Sequence, residues 1–479
     1  MKEGRLRSRA SLALLVAASI WLMVLTGCGS GTQNSTSSMT GTVTTSISDP
    51  PTCAAQYSNV WVTITKVVAH ISSDAGPSDS GWVTLADLTN NPKQVDLLSL
   101  ASTTCLLNNL TLGQTTGLPP GKYQQIRLIL LANDATGATP SPNACGSGGF
   151  NCVVPNGGSP QTLNLSSEAK TGLKIPPGQI AGGGIDLMVG QSADINIDFD
   201  ACRSILRQGN GRYRLKPTLH AGEVALNQNT LSGRVVDSTT TNPIPGAVVS
   251  LEQVVNNVDR VQMSALTASD GTFFFCPLPP GNYDVVVTGM TGTTTYNATV
   301  TLGVPLGTNL GDIALLPEGT GTTTPGTING LVTSTTAANL ATSTDVTLFA
   351  LQQATAPGGS AVTVTIPLFA GSTAFPLATD GVAVCPAATA ATDCANYTLL
   401  VPGSNPRAGT FNSAGTSYST PSGNAAYSIE ADATKSDGTA DCSSPTVTIT
   451  TDNATPANPL AVGPGGTVTA ATITFTGCI

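Results

Sequence analysis

Apolar and polar residues alternate with a period of two in short runs along most of the chain, and turn-forming residues separate the runs. The first 190 residues or so beyond the amino-terminal region hold such runs at 60–68, 82–85, 123–131, 185–189 and 195–199. Further runs lie at 346–349, 362–368, 397–401, 427–429, 447–449 and 468–475. Runs of this length, bounded by Gly, Pro, Asn and Asp, predict strands rather than helices. A strand-like opening recurs three times: Thr40-Gly41-Thr42-Val43, Ser232-Gly233-Arg234-Val235 and Asn329-Gly330-Leu331-Val332. A second signature occurs as LPPGKY at 118–123 and LPPGNY at 278–283, where a rigid Pro-Pro-Gly turn feeds a Tyr that starts an alternating strand. PEGTGTTTP at 317–325 reads as a linker. The pattern predicts an all-β chain of three tandem β-sandwich domains, at 39–226, 230–317 and 326–479, with a linker at 318–325.

Composition agrees with this. The 479 residues include 51 Gly and 32 Pro, while only 10% are charged and 4% aromatic, which suits strands and turns and not helix surfaces. The net charge of −9 offers no electrostatic footprint for nucleic acid, which is excluded as a partner.

The amino terminus departs from the alternation. Lys2, Arg5, Arg7 and Arg9 precede an apolar run at 12–25, short for a membrane-spanning helix, so residues 1–27 read as a secretory signal. The run ends in Leu25-Thr26-Gly27-Cys28, which resembles the lipobox of bacterial lipoproteins. That resemblance implies cleavage before Cys28, acylation of its thiol and amine, and a lipid anchor as the contact with the membrane. Gly29, in place of an Asp retention signal, points to the outer membrane. The mature chain would carry 15 basic and 27 acidic residues, and GSGTQNSTSS at 29–38 would be a flexible tether. No later segment has 18 consecutive apolar residues.

Beyond Cys28, ten cysteines remain, an even number that suits disulfides in an exported protein. Cys145 with Cys152 and Cys385 with Cys394 would close short loops, Cys442 with Cys478 would tie down the last strand, and Cys53 with Cys105 is a further candidate pair. Cys202 and Cys276 are left over, either as buried thiols or as a bridge between neighbouring domains. With no CxxC and only two His, a zinc site is not expected.

Two family resemblances follow from blocks of sequence. NVWVTITKVVAHI, GWVTL, QVDLLSL, LPPGKYQQIRLIL, DINIDFDACRSI and GRYRLKPTL, in that order, resemble the lipoprotein family catalogued as domain of unknown function 4382, with 135–160 as an insertion. The resemblance implies an exported β-rich domain and brings no activity. LSGRVVD, NPIPGAVVSLEQ and TASDGTFFFCPLPPGNYDVVVTG resemble the carboxypeptidase regulatory-like domain, a prealbumin-like sandwich of carbohydrate-binding-like fold. In peptidases that module carries no catalytic residues. The third segment has weaker motifs and reads as immunoglobulin-like or as a degenerate copy of the second.

Candidate chemistry is sparse. His70 and His220 both lie in strand-like runs, and no GxSxG, HExxH or phosphate-binding loop accompanies them. Asp194, Asp198 and Asp200 share a strand face with Asn196, opposite Ile195, Ile197 and Phe199; a solvated outer face accounts for this, with a cation or polyol site as the alternative. Glu430, Asp432, Asp437 and Asp441 form the densest acidic stretch, a weak metal candidate whose spacing departs from calcium loops. Trp61 and Trp82 read as core residues, with Tyr213, Tyr296 and Tyr418 as looser sugar-stacking candidates. No cofactor is implied. The expectation is a non-catalytic, lipid-anchored cell-envelope protein acting as a surface binding or adhesion module for polysaccharide or an envelope protein. The alternatives are a glycan-active enzyme with an unrecognised carboxylate site and a structural stalk or spacer.

Overall fold

The computed structural model describes residues 40–49, 57–100, 110–165, 171–207, 212–215, 217, 219–224, 230–275, 278, 281–292, 294–319, 324–336, 345–372, 392–420, 423–434, 442–454 and 458–478. The signal at 1–27, Cys28 and the tether lie outside these residues, as do Cys53, Cys105, Cys276, Cys385, Asp437 and Asp441. Within them nearly all regular elements are strands, in several sheets, and residues 40–479 form one compact unit. The all-β expectation holds.

The first domain packs two sheets face to face. One has the order Leu219–Glu223, Ser192–Phe199, Gly41–Ser48, Leu110–Leu118. The other is organised by the 14-residue strand Tyr57–His70, which pairs with Val83–Asp87, Lys93–Asp96, Gln125–Leu130 and Cys152–Pro155. Val43, Ile47, Val62, Ile64, Ile126, Leu128 and Ile197 fill the space between the sheets. The 135–160 stretch is built into this sheet rather than looped off it. Asn151 Oδ1 accepts from the Thr63 backbone N–H, and the Cys145–Cys152 disulfide forms as expected, with Cα atoms 5.7 Å apart. Cys442 is also disulfide-bonded. The side chains of Cys202, Cys394 and Cys478 are not among those described.

The second and third segments are joined in a way that a linker composition does not predict. One nine-stranded sheet runs through both, in the order Arg407–Thr410, Thr299–Pro305, Asn282–Thr288, Val248–Val255, Val258–Leu266, Ala361–Ile366, Asp345–Thr355, Ser428–Thr434, Thr446–Ile449. Both edges of the second segment's half are thus covered by strands of the third, each pairing in parallel. The run DVVVT explains why this is stable. Val285 and Val287 point into the second segment's own core, while Val286, with Ala298 and Val300, enters the core built on Ile328, Leu348, Tyr397 and Ile429. Sequence alternation gives this strand one buried face; the structure buries both, as continuous apolar runs do. Across the same junction Arg260 holds Glu430 through two contacts, Nη1 to Oε1 at 2.5 Å and Nη2 to Oε2 at 2.9 Å. The Thr365 backbone N–H donates to the buried Glu252 carboxylate at 3.0 Å.

The repeated opening has a common structural role. In each domain the opening strand sits between one antiparallel and one parallel neighbour. Gly41–Ser48 lies between Leu110–Leu118 and Ser192–Phe199, and Leu231–Asp237 between Thr272–Phe275 and Thr308–Leu315. Gly326–Thr336 lies between Thr392–Val401 on one side and Thr467–Thr469 with Ile473–Cys478 on the other. Its glycine carries a large side chain laid flat across the backbone: Leu187 over Gly41, Phe273 over Gly233, and the Tyr397 ring over Gly330. Phe273 and Tyr397 are the direct cross-strand partners of their glycines. A Cβ at Gly330 would overlap the fully buried Tyr397 ring, so a glycine here marks close approach rather than a turn. Gly330→Val should lower stability by about 3 kcal/mol through overpacking, read as a shift in the denaturation midpoint. Gly137→Ala, where nothing lies within 4 Å, should stay within about 0.5 kcal/mol. Equal effects of the two would contradict this role for the glycine.

Candidate functional site

The polar face of the strand Ser192–Phe199 is where the first domain meets the second. Ser192 and Asp194 are exposed; Asn196, Asp198 and Asp200 are buried. The solvated-face reading is therefore corrected: the second domain covers most of this face, and Ser264 Oγ reaches Asp200 Oδ2 at 3.4 Å. A cavity of about 280 Å³ remains at this contact. Asn196, Asp198, His220 and Gln179 line it from the first domain, and Gln253, Gln262, Met263 and Tyr283 from the second.

Strand register assembles the first-domain wall. Ser48, Asp198 and His220 are direct neighbours across three strands, and Asn196 lies beside Ser46 and Gly222 one pleat away. The Ser48 hydroxyl donates to Asp198 Oδ1 at 3.1 Å and accepts from Asn196 Nδ2 at 2.7 Å. One oxygen of each side chain, Asp198 Oδ2 and Asn196 Oδ1, is buried with no hydrogen-bond partner in the protein. Buried polar atoms in native proteins are nearly always satisfied, so two orphaned acceptors in residues that line the cavity mark unmet hydrogen-bonding capacity beside it.

Burial pushes the Asp198 carboxyl up to about 7, the Asp200 charge adds to this, and the Ser48 hydrogen bond partly opposes it. Asp49, behind the same strands, is also raised well above the usual carboxylate range, first by burial, although the Ala201 backbone N–H donates to it at 2.8 Å. Asp198 can thus donate or accept a hydrogen bond near neutral pH. The three glutamine side chains and Asn196 supply further donors and acceptors. No Lys or Arg lines the wall, and Asp198 is its single carboxyl among the described residues. The set suits an uncharged ligand rich in hydroxyls. Glycoside hydrolysis by two carboxyls lacks its second member on this wall.

The other sequence candidates are placed elsewhere. Glu430 and Asp432 lie in the strand Ser428–Thr434 rather than in an acidic loop. Glu430 is committed to Arg260, and Asp432 Oδ1 accepts from Thr446 Oγ1 at 2.7 Å. Among the described residues no group of His, Cys, Asp and Glu has the arrangement of a metal site. His70 is structural: Nε2 lies 3.0 Å from the Ser80 carbonyl, and Nδ1 accepts from the Ser72 N–H. Trp82 sits beside it, donating to the Gly76 carbonyl with Arg127 over its ring. Tyr213 packs on Tyr57, Tyr296 donates to Asp237, and Arg407 lies over the Tyr418 ring, so these three tyrosines serve packing. Sequence reasoning passed over His220 and Asn196 as site residues and had no signal for Gln253 or Gln262. The DINIDFD alternation marks the face but not what covers it.

Comparison with known families finds two matches along the chain. Residues 40–217 match the family described as domain of unknown function (DUF4382), and residues 230–316 the carboxypeptidase regulatory-like domain. In order along the chain, one segment is thus similar to DUF4382 domains and the next to carboxypeptidase regulatory-like domains, and the two segments take those names below. The cavity lies where these two domains touch, with the acidic strand of the DUF4382 domain on one side and the Val248–Val255 and Val258–Leu266 hairpin of the regulatory-like domain on the other. No curated protein matches the chain. Among solved structures, the Bacillus anthracis TIE protein aligns at 10% identity over 91% of this chain and 50% of its own, with a TM-score of 0.17, so the chain spans half the length of that protein. The shaft pilin SpaA of Lactobacillus rhamnosus GG aligns at 11% identity over 59% of this chain and 98% of its own, also at 0.17. A putative adhesin from Bacteroides ovatus aligns at 11% identity over 52% and 94%, at 0.16. Scores this low carry no argument about function.

Proposed function

We propose that the protein is a non-catalytic, cell-envelope binding module, anchored by lipid at Cys28 to the outer membrane, whose cavity between the DUF4382 and regulatory-like domains receives one ring of a surface saccharide. The observation that carries this reading is the pair of buried, unpartnered acceptors, Asn196 Oδ1 and Asp198 Oδ2, on a wall otherwise rich in carboxamides. Hydroxyl groups of a sugar would satisfy both once the two side chains turn toward the cavity, and a site built around unmet hydrogen-bonding groups discriminates strongly against ligands that lack them. A volume of about 280 Å³ is near the lower end for small-molecule pockets and suits a single ring, not an extended chain.

The rest of the chain supports a presenting role. The nine-stranded sheet ties the second segment, which supplies one wall of the cavity, to the third in one body. A glycan-array screen of the soluble chain, wild type beside Asp198→Ala, tests the reading. Saturable binding to one class of terminal saccharide, weakened at least tenfold by the substitution, is expected. Binding of equal strength in both proteins, or none in either, would remove the cavity from the account and leave a spacer role.

A further inference from the structure

The end of the DUF4382 domain that receives the chain from the amino-terminal region is apolar. Met188 and Val189 form the tip of the turn between Ile185–Leu187 and Ser192–Phe199, and they are 67% and 55% exposed. The Gly190 N–H donates to the Thr40 carbonyl at 3.0 Å, and Leu187 packs over Gly41, so the chain enters the fold against this turn. Leu187 pairs with Gly121, beside which lies Ile71, 58% exposed, and the exposed Pro119 and Pro120 of the first LPPG turn precede it. Large apolar side chains exposed singly need no explanation, but five apolar residues gathered at one end do. That end also lies at the far end of the acidic strand from the contact with the regulatory-like domain. Along Ser192–Phe199, Ser192 stands by the entry point and Asp198 by the regulatory-like domain, roughly 20 Å further on at the strand rise.

We propose that this end, Ile71, Pro119, Pro120, Met188 and Val189, rests on the surface of the lipid bilayer and sets the protein upright on it. The proposal extends the reading that Cys28 is lipidated. Eleven residues separate Cys28 from Thr40, and a fully extended chain of that length reaches at most about 40 Å, so the acyl anchor confines this end to the membrane's vicinity. Lys122, at the rim, is engaged within the protein: its amine donates to the Gly182 carbonyl at 2.9 Å and lies 3.9 Å from Asp186, and the acidic Asp74 lies in the neighbouring loop. The apolar contact, not charge, is what the surface offers. Acyl chains supply the affinity; the apolar end supplies orientation. The consequence is that the Asp198 end of the strand Ser192–Phe199 points away from the bilayer.

The test uses the intact protein purified from envelopes, carrying either Met188→Trp or Val254→Trp, in vesicles of phosphatidylethanolamine and phosphatidylglycerol at saturating lipid. Val254 is equally exposed, at 62%, but lies on the regulatory-like domain's hairpin. Quenching by brominated lipid should be at least twofold stronger for the chain substituted at position 188. Equal quenching, or none at 188, overturns the proposal. Mass spectrometry of the amino-terminal peptide reads lipidation separately. An unmodified Cys28 with strong quenching at 188 sinks the anchor and keeps the bilayer contact, and a lipidated Cys28 without quenching does the reverse.

Discussion

Val286→Asp is expected to unfold the second and third segments together. Val286 is fully buried between Ser250 and Val300 in the nine-stranded sheet, and its side chain lies in the core built on the third segment's Ile328, Leu348 and Tyr397. A carboxylate there would be set among apolar side chains. Losing the valine's burial costs about 1.5 to 3 kcal/mol, and a buried unpaired charge costs several more. The sum is comparable to the whole stability of an ordinary domain, about 5 to 15 kcal/mol. The mutation lies in the carboxypeptidase regulatory-like domain, yet the damage is to the core of its neighbour. Scanning calorimetry of the wild-type chain should accordingly show one transition for residues 230–479, absent in the variant, with the DUF4382 domain's transition remaining. A third segment that keeps its own transition in the variant would show that the shared sheet does not couple the two.

The second large effect is a stability that falls as pH rises. Asp198 is held near 7 in the folded protein against an unfolded value of 3.8, so between those values the folded state binds the extra proton. Stability contributed by this group is complete below about pH 4 and is lost as pH rises through 7. Three pKa units correspond to about 4 kcal/mol. Asp49 adds in the same direction through burial, and Asp259 does so through burial and the neighbouring Asp284 carboxyl. Asp237 works oppositely. Burial disfavours its charge, but hydrogen bonds from the Thr239 and Tyr296 hydroxyls and the Thr240 and Thr239 N–H groups outweigh that and hold it at about 2. Its contribution is present above 3.8 and is lost as pH falls through 2. The optimum should therefore lie near pH 4 to 5, with the melting temperature on the order of 10 °C lower at pH 8. Asp198→Asn, neutral at every pH, should remove much of that slope. A melting temperature that is flat or rises from pH 4.5 to 8 would contradict the assignment.

Much of the architecture was legible because it rests on local patterns. Period-two runs and the three glycine-bearing openings depend on neighbouring residues, and the openings form strands where expected. What was illegible depends on contacts between distant segments. DVVVT holds apolar residues on both faces, and this is the trace of the shared core, but nothing local says that the third segment supplies the second face. DINIDFD shows the same limit from the polar side. Its alternation is that of a half-buried strand, and only the regulatory-like domain's position turns a wet face into a cavity wall. Glu430 looked like part of an acidic stretch because Arg260, 170 residues earlier, is invisible to local spacing.

The most direct measurement of the central claim is a calorimetric titration of the array-selected saccharide into the wild-type chain and into Asp198→Ala at the same pH. The account predicts one site per chain and an affinity at least tenfold lower in the variant, about 1.4 kcal/mol or more. Saccharide binding that the substitution leaves unchanged would place the ligand elsewhere and contradict it.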